Sequence, residues 1–210
     1  MKRSLVLALG ALLLAGALGC AGRQSYMVPP RVDLKQHETI GVVEFDSSAK
    51  GELGPLATRR FTDTARSDQG LVRIVGFGSK TEAMRSVSTS RWDTETFKAL
   101  GLTHGVRTIL TGKLTVSDVR PDVQLAPSLR SGNLSGLVDA TLDVELIETS
   151  TGASIWSTSA RATHSVGQIS VFGGKDFVFD AADPERVYGG LIDTLVEQVT
   201  RDFRVSWERR

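Results

Sequence analysis

Side chains that could carry chemistry are few in this sequence, and they are widely spaced. The 210 residues include one cysteine, Cys20, and three histidines, His37, His104 and His164. The histidines show no HxxH or HExxH spacing, so a zinc site would have to be assembled from three distant segments. The stretch GFGSK at 76–80 lacks the GxxxxGK[ST] spacing of a phosphate loop, and no GxSxG motif precedes a helical pattern. We therefore expect no metal, no cofactor and no catalytic residue, and predict that the protein is not an enzyme.

The only cysteine follows a pattern that is typical of a secretion signal. Lys2 and Arg3 open the chain, and residues 5–19 form an apolar run of 15 residues that ends in small side chains. A basic start, a short apolar centre and small residues at the end are the three parts of a signal peptide. The run is shorter than the roughly 20 residues that a membrane-spanning helix needs. We predict that residues 1–19 are a signal peptide that is removed.

Residues 17–20, ALGC, resemble the lipobox of bacterial lipoproteins, in which the cysteine thiol receives a diacylglycerol before cleavage on its N-terminal side. Ala17 and Leu18 stand in the reverse of the usual order. The resemblance implies a mature chain that begins at Cys20 with diacylglycerol and an N-acyl lipid such as palmitate. The two acyl chains of the diacylglycerol already make a stable anchor, at about 0.8 kcal/mol per buried methylene. In that family an Asp directly after the cysteine tends to retain the protein in the inner membrane, so Ala21 at this position favours the outer membrane. The alternative to the lipobox is an ordinary cleaved signal peptide with an incidental cysteine.

The composition limits how the mature protein can be stabilised and what it can bind. With Cys20 acylated, no thiol remains for a disulfide, so the domain must fold on its core alone. The chain is 40% hydrophobic and 23% charged, as is typical of a globular domain. Its net charge of +1 gives no reason to propose a nucleic acid as partner.

Apolar periodicity predicts one α/β domain over residues 38–205. It follows a lipidated N-terminus and tether, residues 20–37, and precedes a basic tail, residues 206–210. Strands are predicted at 39–45, 71–77, 105–119 and 136–148 and in a stretch that carries Trp156, and helices at 54–66, 92–101 and 183–203, with one possible turn at 81–87. The order βαβαβββα indicates a two-layer mixed β-sheet packed by helices.

Three local patterns refine this prediction. Within 136–148, alternate apolar residues face a core, while an acidic row faces away from it: Asp139, Asp143 and Glu145. That row is either a ligand face or, more commonly, a solvated strand face. Asp93 or Thr94 is expected to cap the helix at 92–101 and Gly101 to end it. Gly189 and Gly190 weaken the last helix by about 1 kcal/mol each, which close packing on the sheet would explain.

The order of these segments resembles that of a known lipoprotein domain. The stretches IGVVEF, ALGLTHGVRTILTGKL and LDVELIETSTGASIW, followed by an amphipathic helix, are similar to the domain shared by the curli secretion lipoprotein CsgG, the penicillin-binding-protein activator LpoB and the N-terminal domain of TolB. The resemblance covers roughly residues 38–205. It implies a non-enzymatic lipoprotein that faces the periplasm and works through contacts with an envelope protein that the sequence does not identify.

Members of this group divide between two functions. CsgG-like proteins oligomerise into an outer-membrane pore in which each subunit gives two spanning β-hairpins, whereas LpoB-like proteins reach a periplasmic synthase. The candidate hairpin segments here are 120–136 and 165–180. The first contains Pro121 and Pro127, and the second has arms shorter than the roughly 9–11 residues of a spanning strand. The sequence favours the accessory module, with an oligomeric secretion channel as the alternative.

The second segment also carries the predicted partner-binding residues. Around a glycine turn in SVFGGKDFVF lie Phe172, Gly173, Gly174, Phe177 and Phe179. Aromatic side chains on a loop are common anchors of protein interfaces. The alternative is that these rings pack beneath the last helix as core.

Overall fold

The computed structural model describes residues 25–49, 52–117, 120–123, 134–168 and 184–209. The described residues form two compact units, one within residues 30–204 and the other from residues 25–29 and 205–209. The predicted signal peptide and Cys20 lie outside the described residues, as does the turn predicted around residues 173 and 174.

The larger unit is built on a seven-stranded mixed sheet, which confirms the predicted α/β class with a mixed sheet packed by helices. The helices are α1 (Leu53–Gln69), α2 (Lys80–Ser86), α3 (Thr94–His104) and α4 (Pro184–Val199), and short 3-10 helices cover Leu34–His37 and Arg201–Phe203. The strands are β1 (Ser25–Val28), β2 (Thr39–Val42), β3 (Asp46–Ser47), β4 (Arg73–Gly76), β5 (Thr108–Val116), β6 (Arg120–Val123), β7 (Leu134–Glu148), β8 (Ser154–Gln168) and β9 (Ser206–Arg209).

Parallel and antiparallel pairing divide this sheet into two halves. β2 pairs in parallel with β4 and β5, and β3 also pairs in parallel with β5. β7 runs antiparallel to β5, β6 and β8. The order is β4-β2-β5-β7-β6, with β3 beside β5 and β8 beside β7. Antiparallel sheets can have one face on the core and the other in solvent, so the second half of this sheet does not need helices on both faces.

The main core lies between α1, α4 and one face of the sheet. Phe61 of α1 is 1% exposed and makes edge-to-face contacts with Phe45 and Phe203, with ring centroids 5.6 Å and 5.7 Å away. The predicted inward row of β7 is buried here, as the alternation indicated: Val138, Ala140, Leu142, Val144 and Leu146. Each fully buried side chain of this size contributes about 1.5–3 kcal/mol. The core therefore fixes which face of β7 points away from α1 and α4.

A smaller core lies on the opposite face of the sheet, beneath α2 and α3. Phe97 and Leu100 of α3 pack with Ile109 of β5 and Ile147 of β7. Helices thus cover both faces at this end of the sheet, where the sequence predicted two layers. Asp93 caps α3, as expected, because its side chain accepts a hydrogen bond from the Thr96 N–H.

Gln69 joins the two ends of the larger unit. Its Oε1 accepts a hydrogen bond from the Leu34 N–H at 2.8 Å, and its Nε2 donates to the carbonyl oxygens of Val32 and Phe203 at 3.0 Å and 2.5 Å. Leu34 is 2% exposed. Part of the predicted tether, residues 20–37, therefore packs as core in this structure.

The smaller unit is a two-stranded antiparallel ribbon formed by β1 and β9. Its register pairs Tyr26 with Glu208 and Met27 with Trp207. The Tyr26 hydroxyl donates to Glu208 Oε2 at 2.6 Å. The sequence pattern indicated a tether and a basic tail, residues 206–210, at these positions. Each strand is only four residues long, and its partner is at the other end of the chain. Local sequence patterns therefore do not predict this pairing.

Candidate binding face

The structure leaves the predicted site residues untested. Cys20 and the predicted partner-binding residues lie outside the described residues: Phe172, Gly173, Gly174, Phe177 and Phe179. Among the described residues, no group of three or more potential ligands is placed to hold a metal ion. In the same part of the chain, no helix combines the length and apolar character needed to cross a membrane.

A shallow depression of about 720 Å³ lies on the sheet face that α2 and α3 leave open. Side chains from β5, β7 and β8 form its floor: Thr111, Lys113, Asp143, Glu145, Ser157 and Ser159. Asp46, Lys80 and Trp92 form its margin. We call these nine residues the polar face.

Strand register explains why these residues meet. Lys113 pairs with Asp143 across β5 and β7, and Asp143 pairs with Ser159 across β7 and β8. On the other side, Asp46 of β3 is the register partner of Lys113. Cross-strand partners share a face of the sheet, so one row crosses four strands as acid, base, acid and hydroxyl. Thr111 and Ser157 flank Glu145 in the next row.

Three charged groups of the polar face have no partner among the described residues. None of the described residues makes a hydrogen bond or ion pair with Lys113, Asp143 or Glu145, although their strands are paired along their length. Lys113 and Asp143 are exposed and Glu145 is half-buried. Water solvates these groups in the isolated chain, and each can make a charge-assisted hydrogen bond to a ligand.

Trp92 provides an aromatic edge to the same depression. Its ring meets Phe97 edge-to-face at 5.0 Å, and the Lys80 Nζ lies 5.3 Å from its ring centroid. Lys80 also approaches Asp46 at 3.8 Å, a partly exposed ion pair of the kind worth about 0–1 kcal/mol. Packing against the smaller core therefore holds the tryptophan in place while one side of it borders the depression.

A capping box at α2 positions Lys80 as the first residue of that helix. The Ser79 hydroxyl accepts from the Glu82 N–H at 3.3 Å, and the Ser79 N–H donates to Glu82 Oε2 at 2.7 Å. Hydrogen bonds from the backbone and side chain of Ser79 hold the pKa of Glu82 below its usual value. The cap satisfies helix N–H groups that would otherwise lack partners.

The predicted acidic row is divided by the structure. Asp143 and Glu145 line the depression, whereas Asp139 lies outside its lining and accepts a hydrogen bond from the Thr163 hydroxyl at 2.6 Å. The sequence identified this face through the alternation in residues 136–148. It missed Lys80 and Trp92, because they reach the depression from another part of the chain through tertiary packing.

His104 lies close to a serine. Its Nε2 is 3.3 Å from Ser86 Oγ, and which of the two atoms donates depends on the tautomer of the imidazole. The Ser86 hydroxyl is also placed to donate to the Ala83 carbonyl oxygen at 2.7 Å.

Neither a protein-family model nor a curated protein matches this chain. Similar solved structures include a PelC dodecamer from Paraburkholderia phytofirmans, 16% identical, covering 86% of this chain and 96% of that one with a TM-score of 0.43. The LpoB C-terminal domain from Escherichia coli is 15% identical, with coverages of 61% and 84% and a TM-score of 0.40. A lipoprotein from Neisseria meningitidis is 14% identical, with coverages of 77% and 97% and a TM-score of 0.41. LpoB domains and bacterial lipoproteins are thus among the structural neighbours, at low identity.

Proposed function

We propose that this protein is a non-enzymatic binding or assembly module of the bacterial envelope. A lipid on Cys20 anchors it to the outer membrane, facing the periplasm, and the polar face binds another envelope protein. The observation that carries the proposal is a set of charged side chains on the open sheet that have no partner within the described part of the chain: Lys113, Asp143 and Glu145.

The shape and chemistry of the polar face suit a protein partner. Small-molecule sites are mostly enclosed and apolar, with a few placed polar groups. This depression is shallow and lined by both charges and hydroxyls, with Trp92 at its edge. Alternating charges select a partner by complementarity, and a tryptophan supplies apolar contact area that charges lack.

The location rests on the start of the chain. A basic and apolar leader ends in ALGC, and Ala21 follows the cysteine. Acylation of Cys20 would hold the domain at a membrane surface, where a partner confined to the same membrane meets it at high local concentration. The segment around Phe172 and Phe177 remains a proposed second contact.

Site-specific photo-crosslinking in intact cell envelopes tests the face directly. A photoreactive amino acid at Ser157 is expected to give a discrete adduct with one envelope protein. Asp143→Lys should reduce that adduct severalfold, because the reversal places two cations in one row. Asp63→Lys, on the exposed side of α1, is the matched control and should leave the adduct unchanged.

Two results would count against the polar face. One is an adduct of undiminished yield in the Asp143→Lys protein. The other is the same adduct from a photoreactive residue at position 63, which would show that the crosslink reports proximity in the envelope and not this surface.

A further inference from the structure

The ribbon of β1 and β9 has two chemically different faces. Tyr26 and Glu208 share one face, where they are joined by their hydrogen bond. Met27 and Trp207 are register partners and share the other. We call this pair the apolar ribbon face.

The apolar ribbon face is largely exposed in the described structure. Met27 is 57% exposed and Trp207 67%, and Val205, directly before β9, is 46% exposed. A two-stranded ribbon is marginally stable by itself in water. Covering its apolar side chains with another surface would remove them from water and so stabilise the ribbon.

Covalent geometry limits where this face can be. Five peptide steps separate Cys20 from Ser25, and an extended chain advances at most about 3.6 Å per residue. Ser25 is therefore within about 18 Å of the acylated residue, and Met27 within about 25 Å. Nearly the same distance limit applies to Trp207, because it is the register partner of Met27 and cross-strand partners lie about 5 Å apart. β9 is thus held within similar reach of the proposed lipid anchor.

The residue types near this face suit a membrane surface. Tryptophan concentrates at the boundary between lipid headgroups and acyl chains, where its ring is buried and its N–H stays hydrated. The sequence places Arg23 before β1 and Arg209 and Arg210 at the end of the chain. Basic residues at a membrane surface are attracted by anionic headgroups.

We propose that the apolar ribbon face docks on the lipid surface beside the anchor, as a second membrane contact. The inference rests on the proposed acylation of Cys20, which sets the distance. Bilayer lipid is the occupant because an anchor on Cys20 necessarily brings the membrane surface within reach of the ribbon. The tether then shortens to residues 21–24.

Tryptophan fluorescence of the full-length acylated protein tests this contact. The protein is reconstituted into vesicles of phosphatidylethanolamine and phosphatidylglycerol that contain lipid spin-labelled near the headgroup. We expect part of the emission to be quenched by the spin label, and Trp207→Phe to lose that quenched part. Trp92→Phe is the matched control and should retain it. Met27→Ser keeps the fluorophore and is expected to weaken the quenching.

Each other outcome overturns the inference in a different way. If the protein floats with the vesicles and the Trp207→Phe protein is quenched as strongly as the wild type, the ribbon contact fails and the anchor stands. If the protein does not float, both fail. If Trp207 is shielded from an aqueous quencher in detergent and the mass is that of a dimer, a second copy covers the face.

Discussion

At the scale of single residues, Gln69 is the side chain on which both ends of the larger unit depend. It is 5% exposed, and one amide holds Leu34 and Val32 near the start of the unit and Phe203 near its end. Asp202 reinforces the junction, because its carbonyl oxygen accepts from the Val32 N–H at 3.1 Å. A local sequence pattern does not reveal such a residue, since its partners are far along the chain.

Gln69→Leu is expected to lower the free energy of unfolding by about 2–6 kcal/mol. The substitution keeps the volume but removes the partners of two buried backbone groups, the Leu34 N–H and the Phe203 carbonyl, at a cost of about 1–3 kcal/mol for each group. Urea denaturation measures the change. Gln36→Leu is the control and should change stability little, because the Gln36 side chain is exposed and donates a long hydrogen bond of 3.5 Å to Asp33 Oδ2. Equal stability of the Gln69→Leu and wild-type proteins would remove Gln69 from this role.

At the scale of elements, the glycines of α3 and α4 differ in how closely other residues pack against them. Gly101 was expected to end α3, but the helix continues to His104 and ends at Gly105, which has a φ of 65°. A Cβ at Gly101 would lie 2.6 Å from the Thr149 side chain. In α4, a Cβ at Gly189 would meet no described residue within 4 Å, so packing against the described part of the chain does not explain that glycine. At Gly190 the His164 ring is 3.4 Å away, an ordinary contact.

Alanine at two of these positions should therefore have opposite effects. Gly189→Ala is expected to stabilise the protein by about 0.5–1 kcal/mol through helix propensity. Gly101→Ala gains the same propensity but must displace Thr149, so we expect net destabilisation. Thermal unfolding of the two variants beside the wild type measures both signs. A stabilised Gly101→Ala protein would show that the contact with Thr149 relaxes without cost.

The capping box of α2 makes a prediction about pH. Because the pKa of Glu82 is lowered in the folded chain, its contribution to stability is present above the unfolded pKa and is lost as pH falls through the folded pKa. Glu82→Gln should therefore be less stable than the wild type near neutral pH, and the gap should close on acidification. Urea midpoints across the acid range measure it, with Glu52→Gln as control. A gap that stays constant with pH would exclude the carboxylate as its source.

The sequence predicted elements whose cause is local and missed those whose cause is distant. Alternation in residues 136–148 gave the buried row of β7, and Asp93 announced the start of α3. β3, with two residues, and β1 and β9, with four each, carry no periodicity of their own and form only against partner strands. For the same reason, only some residues of the polar face could be predicted from the sequence. Its acidic residues belong to one alternating strand, whereas Trp92 joins them through packing.

At the scale of the whole molecule, the choice between accessory module and pore depends on two strand ends. β6 and the start of β7 lie in the segment 120–136, and β8 extends to Gln168 within the segment 165–180. The rest of both segments lies outside the described residues. The proposed function predicts that the purified full-length protein does not conduct ions in planar bilayers. Discrete single-channel currents would instead establish the secretion channel.

Acylation of Cys20 is the central claim, because location, orientation and the ribbon inference all depend on it. Metabolic labelling with radioactive palmitate tests it most directly, with wild-type and Cys20→Ala chains compared in the same cells. We predict that label enters the wild-type protein and is absent from the Cys20→Ala protein. An unlabelled wild-type protein, or equal label in both, would contradict the account.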